Sequence, residues 1–299
     1  MANLLTSMTT GVSDDAQAEQ ISNKSQYFGM SRQQLVTAMR GSKIVIPDFQ
    51  QLLKHWPMDV HPDVERLNRI VDERLESIFS FPEDERRLRW LKACKLGLFA
   101  ASWWPYARFE SLQVAANLAI WLFAWDDETD SQEFSSLVEN FEKASAFRGE
   151  TLRYLDASSS IPTKVDLAGI TTHRLITNFK PVGEAAARTY DDRQMTTFLR
   201  ELRFFIEMNE EEHGLQMTPT FPTIEDYNRR RMGSSATRVC LALHELTLGV
   251  RLPHDIMESN AMETIWHEAN MIISTIHRDQ QKGSLGVSAK ATETSREDL

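Results

Sequence analysis

Ala115–Asp130 reads AANLAIWLFAWDDETD. Between Ala115 and Trp125 the one polar side chain is Asn117, and the run passes without a break into three aspartates and a glutamate. A surface helix carries a single apolar stripe, whereas a helix that is apolar on every side belongs in a core. The stretch therefore predicts a central buried helix with an acidic end. If the helix continues through the acids, Asp126 and Asp130 are four apart and share a face, with Asp127 turned about 100° away. Carboxylates there oppose the helix dipole and lose hydration against the core, so they call for a positive partner. Clustered carboxylate oxygens suit hard divalent cations, and Mg2+ is typically held by one or two carboxylates together with waters and a substrate's phosphates. Solvated helix ends also produce such runs, so the pentapeptide is a candidate rather than a site.

A chain of 299 residues, 41% of them hydrophobic, can bury one large core or two smaller ones. Its net charge of -10 argues against a nucleic-acid partner, which requires clustered Lys and Arg. Two cysteines, Cys94 and Cys240, support neither a disulfide framework nor a zinc cluster, and a reducing cytoplasm is the expected compartment. No apolar run reaches the length of a membrane span, and no secretory leader pattern opens the chain.

Three regions are expected: a mobile, Ser/Thr/Gln-rich leader over residues 1–42, an α-helical domain over 43–283, and a polar tail over 284–299. A short helix near Ser31–Arg40 falls in the leader, and an irregular Pro- and Trp-containing strap covers Lys43–Pro62. Helical spacing then recurs over Asp63–Phe79, in a single helix after Pro82 that carries Leu88 to Phe99, over Glu133–Tyr154, over 167–180 and over 182–213. Trp103, Trp104, Tyr106 and Phe109 surround Pro105, which marks a helix break. With no convincing strand pattern and no repeat, the fold class is all-α.

Two further stretches carry chemistry. YNRRRMGSSA, from Tyr227, sets three arginines before a small-residue patch; arginine's planar fork suits phosphate oxygens, and Gly233, Ser234 and Ser235 let backbone approach a ligand. A solvated basic turn is the bland alternative. In WHEANMIISTIHRDQQK, from Trp266, Asn270 and Ser274 are four apart and share a helix face, as a pair of metal-binding oxygens would, although such residues also simply populate polar faces.

Taken together, the DDETD helix, YNRRRMGSSA and the Asn, Ser, acid run resemble class I terpene synthases, specifically fungal sesquiterpene cyclases, over about Ile44–Lys282. The resemblance implies a helical bundle around a central cavity, a prenyl diphosphate substrate, and Mg2+ as cofactor, three ions in the family mechanism. It makes Asp126 the principal metal ligand, with Asp127 and Asp130 supporting and Asn270, Ser274 and Asp279 as the second metal motif. Arg231 matches the diphosphate-sensing arginine, Ser234 and Ser235 the small positions that couple it to ionisation, and Arg278 a further phosphate-facing cation. Phe99, Trp103, Trp104, Tyr106 and Phe123 are the candidate aromatic lining.

The second motif departs from the family pattern: Met271 stands where an aspartate is expected, and the acid sits at 279 rather than 278. The 39 residues from Arg231 to Asn270 (270 minus 231) are also fewer than in the family. A segment missing between Ile276 and His277 would explain both departures. No counterpart of the family's C-terminal Arg-Tyr pair is found, so a catalytically silent, shortened helical protein is the rival reading, with a chain-elongating prenyltransferase behind it.

Overall fold

The computed structural model describes residues 32–41, 48–160, 166–218 and 222–274. The chain divides into two compact units, Met1–Val45 with Leu215–Thr223, and Ile46–Gly214 with Ile224–Leu299. In the first unit, Arg32–Met39 is a helix, where the leader was expected to hold one. The second unit is helices and turns throughout its described residues.

Its helices longer than four residues are α1 (Val64–Ile78), α2 (Glu85–Ala93), α3 (Leu96–Trp103), α4 (Phe109–Asp130), α5 (Phe141–Ser158), α6 (Lys180–Thr189), α7 (Asp192–Gln216), α8 (Ile224–Ser234), α9 (Thr237–Ala242) and α10 (His244–Leu248). α11 runs over 260–274 as far as it is described. α4 is the expected central helix. Leu112, Leu118, Trp121, Leu122 and Trp125 are buried on one half of its cylinder and Ala116, Ile120 and Ala124 on the other, so burial runs round every side. Trp121 meets Phe179 edge-on at 5.0 Å between ring centroids, and Trp125 lies 5.2 Å from Phe205 of α7. The Trp125 indole donates to Thr151 Oγ1 of α5 at 3.0 Å, so the ring is buried with its N–H satisfied.

The structure corrects four expected boundaries, one of them the span 182–213, which is two helices parted at Tyr190, whose backbone is extended. The single helix after Pro82 is two, because Lys95 takes a left-handed conformation (φ 54) and redirects the chain. That turn lays α3 against α1 at Gly97, where a Cβ would meet Asn68 Oδ1 at 2.3 Å and Asn68 Cα at 3.0 Å. The helix expected from Glu133 starts at Phe141, where Asn140 caps it by accepting from Lys143 N at 3.0 Å. The span 167–180 holds only two one-turn helices, Leu167–Ile170 and Arg174–Thr177, before Pro181 opens α6.

α7 buries Phe198, Leu202, Phe205, Ile206 and Met208 as expected, and Glu201, Asn209 and His213 in the same stripe. Each buried polar group has a partner. Glu201 accepts from Arg238 Nε at 2.8 Å, and the same arginine holds Glu263 of α11 at 2.8 Å while lying 5.3 Å from the Trp266 ring. This clamp docks α11 and sets the height of Asn270 and Ser274 on the bundle.

Candidate active site

α4 stays helical through Asp130, so its last turn carries all four acids. They do not share one environment. Asp126 and Asp127 are half-buried and Asp130 is exposed. Burial pushes Asp126 up to about 8, with the Asp130 and Asp127 charges adding to it, while the Arg231 guanidinium pulls the other way. Asp127 is pushed up to about 6, again chiefly by burial, and is opposed by Arg87. The 100° between consecutive helical positions thus points Asp126 toward α8 and Asp127 toward α2. One oxygen of Asp127, Oδ2, is buried with no hydrogen-bond partner among the described residues.

On the α8 side, the three arginines separate. Arg229 pairs with Glu211 at 2.7 Å, Arg230 is buried, and Arg231 turns toward the acids, donating through Nη1 to Ser234 Oγ at 3.2 Å. Ser234 in turn donates to Glu212 Oε1 of α7 at 2.7 Å. The Arg231 Nε is buried without a partner among the described residues, so its fork is only partly used. Gly233 brings α8 close to α7: a Cβ there would meet Phe204 O at 2.8 Å and Met208 Cγ at 2.5 Å. Its small size therefore serves helix packing, a correction to the expectation that it admits a ligand.

α8 ends at Ser234, and Ala236 (φ 57) turns the chain into α9. At that break the Ser235 hydroxyl donates to Asn270 Oδ1 of α11 at 2.9 Å. The Ser274 hydroxyl donates to the same oxygen at 2.9 Å, and Asn270 Nδ2 donates to Met232 O at 2.8 Å. Asn270 and Ser274 thus share a face, as their spacing predicts, and both are buried against the α8–α9 turn. Arg278, Asp279 and the 276–277 junction lie outside the described residues.

Four of the five candidate lining residues form one aromatic cluster. Phe99 lies 5.9 Å from Trp103 and 5.6 Å from Phe123, and Trp103 lies 5.8 Å from Trp104. Phe123 precedes Asp126 by three positions, on the same face of α4, and is 36% exposed. Trp104 is sealed beneath the others in the core. Tyr106 corrects the expectation: it is 70% exposed beyond the Pro105 break, and its phenol donates to Asp59 instead of joining the cluster.

The sequence reading missed Arg87, Arg148, Glu212 and His244. Arg148 is fully buried on α5 and reaches His213 Nδ1 at 3.1 Å; burial pulls its pKa down while the Glu210 and Asp130 charges push it up. The His244 ring stands 6.3 Å from Trp103 and 6.1 Å from Trp104. None of the four lies in a motif, and each has a partner remote in sequence.

Residues 117–277, more than half of the chain, match the family model described as terpene synthase family 2, C-terminal metal binding. The chain belongs to that family. Over 239 residues it is 32% identical to the sesquiterpene cyclase hepA of Aspergillus oryzae, covering 77% of this chain and 62% of that protein. It is 26% identical over 177 residues to a (+)-T-muurolol synthase of Roseiflexus castenholzii, described as cyclising (2E,6E)-farnesyl diphosphate, covering 59% of this chain and 51% of that one. Hedycaryol synthase, solved in complex with nerolidol, superposes with a TM-score of 0.60 at 18% identity, over 76% of this chain and 69% of its own. The chain thus spans about three fifths of the length of the Aspergillus relative, and its fold is the class I terpene synthase helical fold.

The donor set at the end of α4 fits the metal-binding description of this terpene synthase family. Asp127 Oδ2 lacks a partner and Asp126 is desolvated, the condition of carboxylates that a cation would satisfy. Among the described residues no three His, Cys, Asp or Glu side chains converge as a complete cage. A cation there would complete its shell with water and phosphate oxygens, the usual habit of Mg2+.

Proposed function

We propose that this terpene synthase family member is a class I sesquiterpene cyclase: it ionises farnesyl diphosphate with Mg2+ and cyclises the allylic cation, releasing diphosphate. One observation carries the reading: the Arg231 charge acts on the desolvated Asp126 at the end of α4, and the Phe99, Trp103, Phe123 cluster sits on the adjoining turn. Asp126, Asp127 and Asp130 would hold metal, and the resemblance adds Asn270, Ser274 and Asp279 as a second motif. Bound Mg2+ supplies charge neutralisation to the departing diphosphate.

The chain's own groups do the rest. Arg231 has an unengaged Nε–H, so it can direct its fork at diphosphate oxygens and add a preorganised contact where negative charge develops. Ser234 holds that guanidinium against Glu212, and Ser235 ties the α8–α9 turn to Asn270, so both sides of the site move with one short segment. Phe99, Trp103 and Phe123 present faces that stabilise a cation by about 0.5–2 kcal/mol each and exclude water. Burial lowers the pKa of His244, so at neutral pH its imidazole adds no positive charge beside them.

A second reading, a diphosphate-binding helical protein without turnover, is favoured by the exposure of Phe123, which leaves the aromatic cluster open to water. Purified protein incubated with farnesyl diphosphate and Mg2+ separates the two. A volatile hydrocarbon or alcohol with stoichiometric inorganic diphosphate is expected; a folded sample that binds diphosphate and yields neither product establishes the second reading.

A further inference from the structure

Arg87 on α2 is 5% exposed, and the mechanism above gives it no task. Its guanidinium spans one turn of α4: Nη1 donates to Glu128 Oε2 at 2.6 Å and Nη2 to the Ala124 carbonyl at 2.5 Å. Ala124 and Glu128 are four apart, so a single planar fork staples the turn that contains Asp126 and Asp127. The Phe79 ring at 5.3 Å and the Phe134 ring at 5.8 Å wall the fork in, and Ser135 holds the other Glu128 oxygen at 3.0 Å.

The last turn of α4 needs such a device. Its terminal carbonyls have no helical partners, its dipole end is negative, and four acids crowd it, so like charges and dipole together favour fraying. A buried cation bonded to both backbone and carboxylate opposes the dipole and the like charges. The geometry divides the turn in two: Ala124 and Glu128 face Arg87, whereas Phe123, Asp126 and Asp130 face away.

We propose that Arg87 is a positioning residue that fixes the final turn of α4, and through it the direction in which Asp126 and Asp127 are presented. The bidentate fork is the essential property, so lysine, a point charge, replaces it poorly. The effect on the acid turn holds with or without metal; only its consequence for Mg2+ binding rests on the function proposed above.

The test compares the parent with Arg87→Lys and with the double variant Arg87→Met, Glu128→Gln, which leaves no unpaired charge behind. Amide hydrogen exchange of the metal-free proteins should quicken by about tenfold or more at residues 124–131 in both variants, with α7 unchanged. In a thermal-shift titration with Mg2+ and inorganic diphosphate, the Mg2+ midpoint should rise by about 10- to 100-fold, the range for losing a group that orients a metal ligand. Unchanged exchange at 124–131, or protection lost equally over α4 and α7, overturns the proposal. A parent that ignores Mg2+ and diphosphate overturns the functional reading alone, and the metal-free exchange comparison still decides the role of Arg87.

Discussion

Adjacent aspartates at the end of α4 have different neighbours, and this difference sets what each substitution should do. Asp126 is desolvated and lies among like charges, so the folded chain without metal holds it at a cost. Asp126→Asn keeps the shape and removes that cost. Product formation should fall by at least about 10²-fold, the usual scale for losing a charge-stabilising group, while the Tm of the metal-free variant stays level or rises. Gas chromatography and a far-UV thermal melt check the two halves; undiminished product would remove Asp126 from the metal site. His244 offers a contrast, since it touches Trp103 and Trp104 and no acid. His244→Phe should therefore change the ratio of products and leave diphosphate release within about threefold, because it alters the aromatic cluster and not the ionising groups. An unchanged product ratio would place His244 in the packing alone.

At the scale of elements, close approaches of backbone decide where the site groups sit. Gly233 lets α8 lie against α7, and Arg231 and Ser234 follow from that contact. Gly233→Ala gains about 1 kcal/mol of helix propensity but drives a Cβ to 2.8 Å from Phe204 O, where a backbone atom cannot yield as a side chain can. Overpacking of this kind costs about 1–3 kcal/mol or more, so urea denaturation should show net destabilisation with an unchanged m-value. A more stable variant would mean that α8 and α7 separate freely, and Arg231 would then lose its fixed place. Gly97 is the milder case, because the nearest atom it would meet is the movable Asn68 amide.

Across the whole molecule, buried ion pairs join segments far apart in the chain. Arg174 donates to both oxygens of Asp84, 90 residues away, and pulls the Asp84 pKa below its ordinary value. The sign follows from linkage: a carboxylate whose folded pKa is depressed adds stability that is full above its unfolded value, about 4, and is lost as pH falls through the folded one. Asp84→Asn should therefore cost about 1.5–3 kcal/mol near neutral pH, with the gap to the parent closing as the pH drops below about 4. Chemical denaturation at several pH values measures this, and a gap independent of pH would assign the loss to packing.

The all-helical class, the burial of α4 all round and the shared face of Asn270 and Ser274 were legible in the sequence. Each depends on the 3.6-residue period of one segment and on the burial demanded by its own side chains. Tertiary structure alone decided the break at Lys95, the outward turn of Tyr106, the pairing of Ser234 with Glu212, and the placing of Arg87 beneath the acids. Those depend on which helix packs against which and at what register. That information is carried by contacts 22 to 47 residues apart, as between Glu212 and Ser234, Ala124 and Arg87, or Asp59 and Tyr106, and no local pattern of residues encodes it.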